Sequence, residues 1–179
     1  GQSTYIPLKV NSAGVIPVIF ATSILFFPAL VATSLPQDNS VTAALRNWID
    51  VNLANSQGTT WFYIFFLGIL IIFFTYFYTT IQFDPVRQSD MIRRQGGFIP
   101  GVRPGISTTN YLSHILNRIT LPGSIFLASV AVLPSIASAI WDIPLGFSGI
   151  SILITVGVAL ETMKQIESQL SMRNYEGFI

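Results

Sequence analysis

The 179-residue sequence has no cysteine and a single histidine, His114. Disulfide frameworks, thiolate metal sites, cysteine nucleophiles and iron-sulfur clusters are therefore excluded, while the redox compartment stays open. Charge is nearly as scarce: only 9% of residues are Asp, Glu, Lys or Arg, where soluble domains average about 25%. Nine basic and eight acidic side chains leave a net charge of +1. No bulk basicity points to nucleic acid, and no acidic run suggests a solvated spacer. With 51% hydrophobic residues and a mean hydropathy of +0.60, a water-soluble globule is nearly excluded. The chain starts at Gly1 with no short cleavable signal segment, and is read as a piece of a longer protein.

What is present is organised by four windows without any charge: residues 10–37, 51–83, 119–141 and 143–160. A helix of about 20 residues matches a hydrocarbon core of about 30 Å. The windows therefore predict an all-α, polytopic membrane bundle with four spans, near 13–34, 61–82, 119–140 and 147–168. The last emerges into water over its final turns. Pro17, Pro28, Pro122 and Pro134 lie within these windows, as membrane helices tolerate. Four spans put both termini and segment 83–118 on one side, and segment 35–60 with the turn 141–146 on the other. Lys9, Arg87, Arg93, Arg94, Arg103, Arg118, Lys164 and Arg173 fall on the first side and only Arg46 on the second. The positive-inside rule then places the termini and 83–118 in the cytoplasm. Trp48, Trp61 and Trp141 fall on the opposite side, as interfacial anchors do. In the outer segment, Val41, Leu45, Trp48 and Ile49 recur at helical spacing, which predicts a short helix lying in the interface.

No ionisable group lies mid-span, so an intramembrane protease or an ion-coupled carrier lacks its residues. No catalytic residue, metal site or cofactor is expected, and the chain is not read as an enzyme. Glu161 and Lys164, three positions apart, suggest a helix-surface ion pair. The hydroxyls of Thr22, Ser23, Thr75, Ser129, Ser135 and Thr155 are read as bonding between helices rather than lining a solute path. Ser124, Ala128, Ala131, Ser135 and Ala139 roughly share one face of the third span, which predicts a close helical neighbour. Ile71 is expected to face lipid.

Segment 83–118 is the most informative. Asp84 and Pro85 start a short helix that Gly96 and Gly97 end. In GFIPGVRPG, Gly101, Pro104 and Gly105 forbid continued helix and place Arg103 on a turn-built tip. The segment holds five arginines and no lysine, which suits planar contact with carboxylates or phosphates. Positive-inside bias plus a turn explains the same residues, and the composition does not choose between the two.

Three stretches resemble the bacterial SecY family, the central subunit of the protein-conducting channel: QSTYIPLKVNSAGVIPVIFA (2–21), GGFIPGVRPG (96–105) and GISILITVGVALETMKQIESQLSMRNYEGF (149–178). The likeness covers essentially the whole of residues 1–179 and corresponds to the C-terminal half of that family, helices seven to ten of ten. It is weakest in the outer loop 35–60. The resemblance implies a pore closed by an apolar ring, with Ile19 and Ile154 at ring positions. Ser23 and Phe27 are then lateral-gate or signal-sequence-facing positions. Arg103, with Gly101, Pro104, Arg93 and Arg94, is a docking site for the SecA ATPase or the ribosome, with ribosomal RNA as a further contact. The implied partners are SecE, SecG, signal sequences, nascent polypeptides, membrane lipid and the remaining N-terminal half of the channel. The implied location is the bacterial plasma (inner) membrane. Six helices and the plug are absent, so these residues cannot enclose a pore alone. The alternatives weighed are half of a secondary transporter for a small uncharged solute and a purely structural membrane subunit.

Overall fold

The computed structural model describes residues 14–36, 39–53, 60–141 and 149–176. Residues 2–13, including Lys9 and the start of the first span, lie outside the described residues. So do 54–59 of the outer loop and 142–148, which contain Asp142 and most of the expected turn. Six helices follow one another: α1 (Ile16–Ser34), α2 (Ser40–Asn52), α3 (Trp61–Gln82), α4 (Pro85–Arg94), α5 (Ile106–Trp141) and α6 (Gly149–Glu176). No strand occurs among the described residues. Three stretches are long and apolar enough to cross a membrane: Ile16–Ser34, Trp61–Arg94 with α3 as its apolar part, and Ile106–Trp141. The expected fourth span falls on α6, which is not among these three and runs on to Glu176 with Glu161, Lys164 and Glu167 from its middle onward.

α3 is the centre of the bundle, packed against α5 on one side and α1 on the other. Its buried residues are Ile64, Leu67, Ile71, Thr75 and Thr79, one per turn along a single stripe. They meet Val18, Ala21 and Leu25 of α1 and Leu127, Ala128, Ala131 and Val132 of α5. Lipid tails are as apolar as leucine, so such helices associate through close packing rather than through the hydrophobic effect. The small face of α5 supplies it: Ser124, Ala128 and Ala131 are buried, and the neighbour they predict is α3. Phe20 stacks on Phe74 with ring centroids 5.9 Å apart, joining the start of α1 to the later turns of α3. That contact fits an antiparallel pair.

Several expectations are corrected. Ile71 does not face lipid; it is completely buried in the core, because a uniformly apolar helix hides its inward face in the sequence. Helix α5 extends beyond the span expected near 119–140, back to Ile106, and its 36 residues give a length of about 54 Å, well beyond a hydrocarbon core of about 30 Å. A span of about 20 residues counted back from Trp141 leaves the first four turns or so over, and this part packs beside α4. Five of the six hydroxyls expected to bond between helices, all but Ser135, turn back instead. Thr22, Ser23, Thr75, Ser129 and Thr155 each donate to a carbonyl one turn back in their own helix, at 2.7–3.0 Å, the acceptor that every helix offers locally. Glu161 and Lys164 do not pair; the ion pair among the described residues joins Arg46 to Asp50 at 3.8 Å.

The outer helix forms as its spacing predicts. Nothing in α2 is buried; Val41, Leu45 and Trp48 are exposed, and Trp48 meets Phe62 of α3 edge-on at 5.5 Å. Trp61 opens α3 and Trp141 closes α5, so all three tryptophans gather at the end of the bundle opposite α4.

Candidate functional site

The described arginines other than Arg46 and Arg173 lie at the α4 end, on α4 itself, the following turn or the protruding start of α5. Helix α4 begins as its sequence dictates. The Asp84 carboxylate accepts from the Val86 N–H at 2.9 Å and lies 3.5 Å from that of Arg87, while Pro85 occupies the first turn, where its missing N–H costs nothing. It ends at Gly96, which takes φ 72°, and the Gly97 N–H returns to the Ile92 carbonyl at 2.9 Å. Arg93 and Arg94 fall in the last turn, where cations complement the helix dipole.

The chain then makes the tip. The Val102 N–H closes a turn on the Ile99 carbonyl at 3.1 Å, and Gly101 and Gly105 take φ 83° and 111°. A residue with a Cβ adopts such angles only under strain. Arg103, Gly101 and Pro104 are exposed between these glycines. Two buried hydroxyls pin the tip from below: Ser89 of α4 donates to the Gly105 carbonyl at 3.1 Å, and Thr108 of α5 donates to the Arg103 carbonyl at 2.9 Å. The five candidate docking residues thus sit on one hairpin, α4–tip–α5. They are not equivalent. Arg87 and Arg94 line an open groove along α4 together with Asp84 and Asp90, so that face carries no net formal charge. None of Arg87, Arg93, Arg94 or Arg103 is in an ion pair among the described residues.

Ile19, Ser23 and Phe27 stand one turn apart on the face of α1 turned away from α3, and all three are exposed. The Ser23 hydroxyl is held by the Ile19 carbonyl at 2.8 Å, so it offers lone pairs rather than its proton to that face. Ile154 lies on α6 near the bundle, half-buried, and Ile150 and Leu153 one turn and one residue before it pack against the core. Beyond Gly157 every described side chain of α6 through Arg173 is exposed. Gly157 itself marks a close approach: a Cβ there would lie 2.7 Å from Cγ1 of Val15 at the foot of α1. One turn up from Val15 is Ile19, and one turn back from Gly157 is Ile154. The arginine hairpin and these isoleucines lie in separate parts of the fold.

A SecY family model matches residues 1–163. The chain belongs to the SecY family. It is 52% identical, over its whole length, to protein translocase subunit SecY of Streptomyces scabiei and of Streptomyces coelicolor, and 48% identical to that of Thermus thermophilus. It spans about 40% of the length of these relatives (40%, 40% and 39%). Family membership and the apolar helices make it part of a multi-pass membrane protein. Ser89, Thr108 and Gly157 of this SecY chain were not legible as site residues. A serine in a short polar helix and a glycine in an apolar run carry no motif, and only the fold brings each to its partner.

Proposed function

We propose that these residues form the C-terminal part of a channel that conducts unfolded polypeptide across the membrane and laterally into it. The observation that carries this reading is the whole-chain likeness to translocase subunits, joined to an arginine tip held outside the packed helices. No residue here performs covalent chemistry in this reading; a partner drives the movement. Arg103 docks that partner, the SecA ATPase or the ribosome, its guanidinium meeting carboxylates or ribosomal RNA phosphates. Gly101 and Pro104 shape the tip, and Arg93 and Arg94 flank it. Ile19 and Ile154 contribute to an apolar seal that excludes ions by dewetting. Ser23 and Phe27 line the lateral gate that signal sequences and nascent chains pass. SecE, SecG and the N-terminal half of the channel complete the assembly. The location is the plasma membrane, with α6 as the fourth span and both termini and residues 83–118 in the cytoplasm, in keeping with eight of nine Lys and Arg on that side. The transporter alternative is not favoured, since the relatives are translocase subunits.

The test compares Arg103→Glu with Arg87→Glu in the full-length channel. Arg87 already shares its face with two aspartates, so only the tip reversal should matter. Arg103→Glu is expected to reduce motor-driven export on the order of tenfold at unchanged channel abundance, and Arg87→Glu less than twofold. Equal small effects would assign the arginines to topology alone.

A further inference from the structure

We infer that Ser89 and Thr108 are positioning residues that hold the Arg103 tip in a preformed docking shape. The inference rests on the docking reading above. Most hydroxyls within the helices turn back on their own helix: Thr22, Thr75, Thr120 and Thr155 donate one turn earlier, while Thr42, in the first turn of α2, reaches Pro36 ahead of its helix. Ser89 and Thr108 do otherwise. Ser89 lies inside α4, where the Pro85 carbonyl is available one turn back, yet its proton goes to the carbonyl of Gly105, sixteen residues later. Thr108, near the start of α5, donates to the Arg103 carbonyl that precedes the helix, five residues earlier. Both residues are nearly inaccessible, 4% and 3% exposed, so neither hydroxyl has water as a ready alternative partner.

The two bonds act at chosen points. One fixes the carbonyl of Arg103 and the other that of Gly105, so the backbone is clamped on either side of Pro104 while the guanidinium stays exposed. Nothing lies within 4 Å of a Cβ added at Gly101 or Gly105, so no packing closes on the tip at these two glycines. Its shape depends on the glycine angles, on the Val102 to Ile99 turn, on the Thr108 and Thr109 N–H groups that also donate to the Gly105 carbonyl, and on these two hydroxyls. A turn that is ordered before its partner arrives does not lose that freedom on binding. Ser89 and Thr108 touch no partner in this scheme; they act through the backbone that carries Arg103.

Full-length channel reconstituted in membranes tests this with two measurements, amide hydrogen exchange across residues 99–105 and the affinity for SecA. Thr108→Val keeps the shape and removes the donor, Ser89→Ala removes the other donor, and Thr108→Ser restores a hydroxyl. Exchange about tenfold faster and SecA binding about fivefold weaker are expected for Thr108→Val and Ser89→Ala, with Thr108→Ser close to the parent in both. Unchanged exchange in both Thr108→Val and Ser89→Ala would overturn the inference. Faster exchange with unchanged affinity, while Arg103→Glu weakens binding, would also overturn it and leave the docking reading standing. Unchanged affinity in Arg103→Glu would remove the docking reading itself, whatever the exchange shows.

Discussion

The approach of α6 to the foot of α1 gives a quantitative prediction through Gly157→Ala. The added Cβ would lie 2.7 Å from Val15 Cγ1, whereas carbon atoms in contact prefer about 3.5–4.0 Å. Relief requires a displacement of roughly 1 Å. Valine is stiff at χ1, and Val15 immediately precedes α1, so the push passes to the first turn of that helix. Overpacking of this kind costs about 1–3 kcal/mol, and alanine returns about 1 kcal/mol of helix propensity over glycine. The net destabilisation is then about 0–2 kcal/mol, which alone would be hard to interpret. The double-mutant cycle isolates it. Val15→Ala removes the obstructing methyl groups, and in that background Gly157→Ala should stabilise by about 1 kcal/mol. The expected coupling energy is therefore about 1–3 kcal/mol, read as thermal unfolding of the purified full-length channel in detergent. A coupling within about 0.3 kcal/mol of zero would refute the contact.

The seal makes its own prediction: Ile19→Asn or Ile154→Asn should raise resting ion leakage of the complete channel several-fold in planar bilayers, since a polar side chain holds water in a constriction. Ile69→Asn, on the exposed face of α3, is the matched control and should impair insertion without a leak; Ile71 cannot serve, being buried. Gly105→Ala should destabilise the tip by about 1–2 kcal/mol through its φ of 111° alone, because the space beside it is open. Gly68→Ala meets open space too but lies inside α3 without a left-handed angle, so it should be neutral or stabilising by up to about 1 kcal/mol, both being read by thermal unfolding. Finally, a cysteine at position 103, in a chain that has none, should react with a membrane-impermeant maleimide only from the cytoplasmic side; labelling only from the other side would reverse the topology.

Much of this architecture was legible before any coordinates. The charge-free windows located α1 and α3 closely, because burying a charge in hydrocarbon is costly enough to leave a plain record in composition. Asp84–Pro85 and Gly96–Gly97 bracketed α4, since capping and left-handed angles depend on local backbone chemistry. The glycines and proline around Arg103 announced the tip for the same reason. The start of α5 was not legible. Arg118 and His114 marked residues 106–118 as polar, and polarity says nothing about whether the backbone there is coiled or helical.

Tertiary structure decided which apolar faces are inside. Val18 is fully buried and Ile19 is 41% exposed, yet the two side chains are almost equally hydrophobic, and in a helix apolar all round the inward stripe differs from the outward one in shape and partner rather than polarity. The same limit hid Ile71. It also hid the tethers: Ser89 and Gly105 meet only because α4 folds back on α5, and Val15 meets Gly157 only when the two ends of the chain come together. Local chemistry and the cost of charge in lipid are written along the sequence, whereas contacts between distant segments exist only once the helices have packed.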